Sequence, residues 1–332
     1  MSGVGAPARL MRITGPRGSG KTVLLCDLRD RAIELGWKAV VVSAGPRLSH
    51  DLMEQIQDQL TFSSASLGVN VGIASAKLDI SSSEMSLRAK LKQIAQGSKG
   101  LFIAVDEVQD APVEEMRIIA STVQLLIGEK ANIALAFAGL PSGVMDLING
   151  KALTFLRRAV PEDLAPINQI EIALSLSDSF NATGLSLDGD LLSKAARATK
   201  GYAYLVQLVG YSIWQRANLH REKSTLVTER DVDEGILLAE ARFHDVVHEP
   251  AISGLSRNEI NYLYAMCEDS RQSKTSDLAK RLGKKTSELS SVRAKLLSRE
   301  VIQAPQRGYV QFTVPDLDEY LKDNRDEILS RY

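Results

Sequence analysis

The residues from Gly15 to Thr22 read GPRGSGKT and have the spacing of a phosphate-binding loop. They fit the pattern G-x-x-x-x-G-K-[ST] at every specified position. In such a loop, glycines let the backbone curl until several N–H groups point at phosphate oxygens, and the following helix presents its positive end. Lys21 is expected to reach the β- and γ-phosphates, and Thr22 to offer its hydroxyl to Mg²⁺. The predicted phosphate-contacting residues are Gly15, Pro16, Arg17, Gly18, Ser19, Gly20, Lys21, Thr22 and Val23.

Two carboxylates, Asp106 and Glu107, directly follow the apolar run Leu101–Val105. An Asp at the end of a buried strand can hold Mg²⁺ opposite the loop, and a Glu beside it can orient and deprotonate an attacking water. Taken alone, two carboxylates at a strand end would equally suit a solvated turn. Together with the phosphate-binding loop upstream, they favour a hydrolytic site.

Two further positions are candidates for contact with the transferred phosphate. Ser142 follows the apolar run Ile133–Ala138, and the ends of parallel strands gather at one edge of a sheet, where ligands bind. A turn containing Pro141 is the equal alternative. Arg157, beside Arg158, could stabilise transition-state charge at a neighbouring subunit, although a basic pair more often forms a solvated face.

The elements that must position these residues are short apolar runs separated by helical segments. The runs do not alternate between apolar and polar residues, which is typical of strands buried on both faces. They predict a doubly wound α/β domain with a parallel sheet, which ends near residue 175. Residues 61–83, rich in Ser, predict a small β-hairpin or mobile insertion. The four predicted strands are Arg9–Thr14, Lys38–Ser43, Leu101–Val105 and Ile133–Ala138.

The last part of the chain has the element order of a winged helix. Three amphipathic segments, Ser256–Cys267, Ser276–Leu282 and Ser287–Arg299, precede a predicted hairpin over residues 301–314. Between Ser256 and Phe312 there are eleven basic and six acidic residues, a net charge of +5. These features favour binding to duplex DNA, and contact with protein alone is the alternative. The candidate DNA-contacting residues are Lys284, Lys285, Ser290, Arg293 and, at the hairpin tip, Arg307.

Composition limits the class of protein. The chain has 332 residues, enough for two or three domains, with 44% hydrophobic and 24% charged residues and a net charge of −1. Two cysteines exclude a disulfide framework. No run is long enough to span a bilayer, and residues 1–7 lack the apolar core of a signal peptide, so we expect a cytoplasmic protein without membrane contact.

Four motifs together resemble the AAA+ ATPases, and most closely the origin-recognition-complex-like and archaeal-ATPase branch. They are GPRGSGKT, LFIAVDEVQD, LAFAGLPS and KGYAYLVQLVG, and the resemblance covers nearly the whole chain. It implies an αβα nucleotide core at 1–175, a helical lid at 176–248 and a winged helix at 249–332. It also implies ATP as ligand with Mg²⁺, hydrolysis at Glu107, and a nucleotide-dependent, DNA-bound switch that can form homo-oligomers.

The sequence departs from that family in two places. Family members usually carry some tens of residues before the loop, including an adenine-contacting segment, whereas fourteen precede Gly15 here. We therefore expect weaker adenine recognition or a truncated start. Many members also place an Arg early in the lid, where this chain has GYAY at 201–204. The alternative function is a signalling or defence-type ATPase whose winged helix contacts protein. A small-molecule kinase is disfavoured, because Asp106 and Glu107 suit water activation better.

Overall fold

The computed structural model describes residues 9–65, 80–222 and 224–331, with side chains at 58–85, 151 and 152 left out. These residues form two compact units. The first contains the chain up to Gly15 and Gly20–Ala165, and the second contains Pro16–Ser19 and the chain from Pro166. The predicted boundaries at 175 and 248 stay predictions.

The first unit is built on a five-stranded sheet in which all pairs are parallel. The order is β2-β3-β4-β1-β5, so β4 separates the strand before the glycine-rich loop from the strand that carries Asp106. The carboxyl ends of β1, β4 and β3 therefore lie side by side at one edge. The strands are β1 (Leu10–Thr14), β2 (Lys38–Ser43), β3 (Leu101–Asp106), β4 (Ile133–Gly139) and β5 (Val160–Asp163).

Apolar side chains leave the sheet on both faces, because neighbouring residues of a strand point to opposite sides. On one face, large residues such as Val105 and Phe137 join the main core. On the other, Ala104 and Ala136 pack with Leu25 in a second cluster, and such small side chains allow a helix to lie close. The predicted α/β fold is confirmed. Its helices are α1 (Lys21–Glu34), α2 (Leu48–Ala65), α3 (Ile80–Gly97), α4 (Val113–Gly128) and α5 (Pro141–Asn149).

Two parts of the first unit differ from the prediction. Residues 61–65 continue α2 and residues 80–83 begin α3, so the predicted hairpin or insertion is wrong at both of its ends. The rest of it, 66–79, lies outside the described residues. The edge strand β5 was not predicted, because its sequence VPED is mostly exposed and lacks an apolar signal.

The second unit begins with four helices around their own core. They are α6 (Gln169–Ala182), α7 (Gly189–Ala198), α8 (Ala203–Asn218) and α9 (Glu229–Phe243), and Leu176, Val209 and Ile213 are among the buried residues between them. A capping box between Thr228 and Asp231 begins α9.

Gly235 allows α8 and α9 to pack closely, which leads to a stability prediction. A Cβ at this position would lie 2.7 Å from the Ile213 Cα and 2.8 Å from its backbone nitrogen. We expect Gly235→Ala to lower the free energy of unfolding by about 1–3 kcal/mol, because backbone atoms must move apart. Urea denaturation measures the change. Gly189→Ala is the matched control, since a Cβ there meets nothing within 4 Å. Equal stability of the two variants would contradict the close packing.

A π-helical turn at His244–His248 and the short helix α10 (Glu249–Ile252) lead to the last part of the chain. There Ser256 caps α11 in a capping box with Glu259. Three helices and an antiparallel sheet of order β6-β8-β7 fit a winged helix. The elements are α11 (Arg257–Met266), β6 (Ser273–Lys274), α12 (Thr275–Arg281), α13 (Ser290–Ser298), β7 (Ile302–Gln303), β8 (Tyr309–Phe312), α14 (Leu317–Asp323) and α15 (Arg325–Ser330).

None of the helices in the described ranges is both long and apolar enough to cross a membrane.

Candidate nucleotide-binding site

The glycine-rich loop joins the end of β1 to the start of α1. Gly18 has φ +73° and Gly20 has φ +96°, in the left-handed region that L side chains rarely adopt. Gly20 is the N-cap of α1, so the first free N–H groups of the helix lie at the loop. This backbone has the local conformation that a phosphate-binding loop requires.

Lys21 and Ser19 place polar atoms inside the loop. The Lys21 side chain is buried, at 4% exposure, and its Nζ donates a hydrogen bond of 3.1 Å to the Gly15 carbonyl. The Ser19 hydroxyl is buried and has no hydrogen-bond partner within the described part of the chain. A buried ammonium and an unpaired hydroxyl both favour an oxygen-rich anion as a partner. These groups therefore fit the phosphates of a nucleotide.

Thr22 and Asp106, which are far apart in sequence, meet at this loop. The Thr22 hydroxyl donates to Asp106 Oδ2 at 2.5 Å, and the other carboxylate oxygen accepts the Glu107 N–H at 2.9 Å. Asp106 is only 5% exposed. A hydroxyl and a carboxylate held together are oxygen ligands of the kind that Mg²⁺ takes in nucleotide sites. The residues present therefore fit the predicted metal.

Glu107 has a strained backbone at the end of β3. Its φ of 52° and ψ of 47° place a residue other than glycine in the left-handed region. Such a conformation costs about 1–3 kcal/mol, and Lys130, Lys200, Glu300 and Asp316 also adopt a positive φ. The turn Val108–Asp110 follows immediately. The backbone therefore turns sharply where β3 ends, directly after Asp106.

Gln109 is part of this arrangement and was missed by the sequence analysis. Its side-chain nitrogen donates to Glu107 Oε2 at 2.5 Å, and its side-chain oxygen accepts the Leu140 N–H at 3.1 Å. The second contact comes from the end of β4, which no local pattern around residue 109 indicates. Gln109 thus connects two of the three strand ends at the site.

The other two candidates in the first unit lie near α5. Ser142 is exposed in the first turn of that helix, directly after β4, at the edge of the sheet where it was expected. Arg157 donates from Nε to the Ile148 carbonyl at 2.9 Å and from Nη2 to the Asn149 carbonyl at 3.2 Å. Its guanidinium therefore holds the end of α5 in its own chain. The contact with a neighbouring subunit stays a prediction.

Tyr202 is a second residue whose contact the sequence analysis missed. Within the second unit, its hydroxyl donates to the Arg17 carbonyl, and the Tyr204 N–H donates to the Gly18 carbonyl at 3.2 Å. A Cβ at Gly18 would collide with the Tyr202 ring. Burial raises the pKa of Tyr202 to about 12. This tyrosine lies in the GYAY segment, where many AAA+ proteins have an Arg.

The candidate DNA-contacting residues lie in two segments of the C-terminal part of the chain. Lys284 and Lys285 lie in the turn before α13, because this helix begins at Ser290 rather than at Ser287. Arg293 follows one turn later, and Arg307 is exposed between β7 and β8. Lys284 Nζ also donates to the Asn258 side chain at 3.4 Å, a weak contact that a phosphate could replace.

Comparison with known proteins supports a nucleotide-binding domain. Residues 6–148 match the family described as AAA domain, and residues 245–321 match a domain of unknown function (DUF8462). A search of the curated proteins gives no match.

Solved structures share the fold over nearly the whole chain. The Walker-type ATPase PABY2304 of Pyrococcus abyssi has 14% identity and a TM-score of 0.68, covering 95% of this chain and 91% of its own. The ORC2 protein of Aeropyrum pernix, in ADPNP and ADP complexes, has 13% identity and a TM-score of 0.64, covering 97% and 89%. Cdc6p of Pyrobaculum aerophilum has 16% identity and a TM-score of 0.55, covering 97% and 88%.

Proposed function

We propose that the chain binds ATP with Mg²⁺ and hydrolyses it, since residues 6–148 match the family described as AAA domain and the solved structures of ORC2 and Cdc6p share its fold. The observation that carries this proposal is the contact between Thr22 and Asp106 beside the loop, with Glu107 next to Asp106 in the chain. A protein that only binds nucleotide needs Thr22 and Asp106. The adjacent strained glutamate adds a group that can activate water.

Each residue has a distinct task in this proposal. The loop N–H groups and Lys21 bind the phosphates, while Thr22 and Asp106 hold the metal. Mg²⁺, when bound, supplies positive charge that favours the developing charge on the phosphate oxygens. Glu107 orients the attacking water and accepts its proton. Ser142, at the neighbouring strand end, contacts the terminal phosphate.

The proposal is tested by phosphate release from ATP, measured on the wild-type chain with Mg²⁺ and again with excess EDTA. We expect release that depends on Mg²⁺ and saturates with ATP. Nucleotide titration in parallel separates binding from hydrolysis. Tight ATP binding without phosphate release under any condition would refute hydrolysis and leave a nucleotide-gated scaffold.

We further propose that the chain acts as a nucleotide-dependent switch on duplex DNA. The net charge of +5 between Ser256 and Phe312 supports this, since the chain as a whole has a net charge of −1. The turn before α13 carries two adjacent lysines, Lys284 and Lys285, and Arg307 is exposed at the tip of the hairpin. Such exposed cations suit contact with DNA phosphates.

Removing the two lysines is expected to weaken DNA binding. The double variant Lys284→Ala/Lys285→Ala should lose about 10-fold in affinity for duplex DNA and lower the salt slope by about 1–2, because each lost phosphate contact releases fewer counterions. Fluorescence anisotropy over a salt series measures both. The control Arg47→Ala/Arg197→Ala removes two exposed cations elsewhere. An equal loss in both variants would contradict a specific DNA surface.

The alternative, a signalling-type ATPase whose winged helix contacts protein, has a different signature. Size-exclusion chromatography with ATP, with and without duplex DNA, separates the two functions. Assembly of homo-oligomers on ATP that is indifferent to DNA would favour the alternative.

A further inference from the structure

Gln109 bridges the carboxylate of Glu107 and the backbone at the end of β4. Its Nε2 donates to Glu107 Oε2 at 2.5 Å, and its Oε1 accepts the Leu140 N–H at 3.1 Å. We propose that Gln109 is a positioning residue that fixes the Glu107 carboxylate for water activation and couples it to the β4 end. This inference rests on the proposed hydrolysis.

The chemistry of the two partners sets the orientation of the amide. An ionised carboxylate only accepts hydrogen bonds, and a backbone N–H only donates them. If the Gln109 amide were reversed, its oxygen would face the Glu107 carboxylate and its NH₂ group would face the Leu140 N–H. Only one orientation of the amide therefore satisfies both contacts. Gln is therefore suited to this position in a way that Glu or Met is not, although both have a similar length.

Two glycines make room for this side chain. A Cβ at Gly139 would lie 2.7 Å from Gln109 Oε1, and a Cβ at Gly143 would lie 2.5 Å from Gln109 Cβ. The end of β4 and the first turn of α5 thus pack directly against Gln109. Because packed groups do not deform continuously, a shift of Leu140 or its neighbours moves Gln109 and with it the carboxylate. Ser142 lies in that same first turn.

Glu107 needs such a support, because its own backbone does not determine where the carboxylate points. The side chain keeps three rotatable bonds beyond the strained Cα, and Gln109 donates a side-chain hydrogen bond to its carboxylate. Loss of this bond frees the carboxylate to leave the position from which it orients water. The residues proposed to hold phosphate and metal have contacts of their own, from Lys21 to the Gly15 carbonyl and from Thr22 to Asp106. The effect should therefore fall on kcat and not on ATP binding.

The test compares Gln109→Met, Gln109→Glu and the control Gln124→Met, which makes the same change at an exposed position of α4. We expect Gln109→Met to lower kcat about 10- to 100-fold, as a misplaced catalytic group does, with KM and ATP affinity unchanged. Gln109→Glu keeps an acceptor for the Leu140 N–H but places a second carboxylate against that of Glu107, so we expect kcat to fall at least as much. The control should match wild type.

A double-variant cycle distinguishes positioning from a general loss of structure. If Gln109 acts through the Glu107 carboxylate, adding Gln109→Met to Glu107→Gln should lower the residual rate no further. Additive losses would overturn the inference, as would a wild-type rate in Gln109→Met or in Gln109→Glu. A wild-type chain without hydrolysis would overturn the proposed function and this inference together, whereas active wild type with unaffected Gln109 variants overturns the inference alone.

Discussion

Glu107→Gln is expected to lower the rate of ATP hydrolysis by about 100-fold or more while nucleotide binding is retained. The substitution removes the group that takes a proton from water but keeps its size. The Glu107 N–H to Asp106 bond is a backbone contact and should persist, as should the Thr22 to Asp106 bond. Phosphate release at saturating ATP measures the loss. Titration with a fluorescent ATP analogue measures the retained affinity.

Glu162→Gln is the matched control for this variant. Glu162 is exposed in the edge strand β5, so the same chemical change there removes a carboxylate without touching Asp106 or Thr22. We expect wild-type hydrolysis in the control. A Glu107→Gln variant that keeps more than half of the wild-type rate would show that another group activates water. A variant that loses ATP affinity as well would assign Glu107 to binding and not to catalysis.

The buried part of the sheet could be predicted because its signal is local. β2, β3 and β4 are continuous apolar runs, and a run such as LFIAV is typical of a strand that is buried on both faces of a sheet. The edge strand β5 carries no such signal. Its residues form a strand because they pair with β1, in a register that begins with Met11 opposite Val160. This pairing joins parts of the chain that are distant in sequence. A pattern of residues that are adjacent in sequence does not predict contacts of that kind.

The same distinction applies within the site. The loop, Asp106 and Glu107 follow from residue types at fixed spacing, and the structure brings Thr22 and Asp106 together as that spacing implies. The role of Gln109 depends on the Leu140 N–H, which lies directly after β4 and is far from residue 109 in sequence. The prediction of a hairpin over 61–83 is wrong at both ends, because α2 continues to Ala65 and α3 begins at Ile80. Helix length depends on packing more than on local composition.

Lys21→Ala is expected to weaken ATP binding about 10- to 100-fold, because one charge-assisted contact to the phosphates is lost. Hydrolysis should fall with it, since the same cation stabilises transition-state charge. Without nucleotide, the variant should be as stable as wild type. The Lys21 ammonium is buried and has lost its hydration, and it donates a hydrogen bond to the Gly15 carbonyl. Its removal ends both the desolvation penalty and the stabilising hydrogen bond, so the free energy of unfolding should change little.

This combination gives Lys21→Ala a clear thermal signature. A ligand that binds only the folded state raises the free energy of unfolding by an amount that grows with the logarithm of the ratio of its concentration to Kd. ATP should therefore raise the melting temperature of wild type and raise that of the variant far less. Differential scanning fluorimetry over an ATP series measures this. Lys38→Ala is the control, because Lys38 begins β2 at the opposite edge of the sheet and should leave the ATP-induced shift unchanged. If Lys21→Ala keeps the full shift, the glycine-rich loop does not hold the phosphates and the nucleotide lies elsewhere.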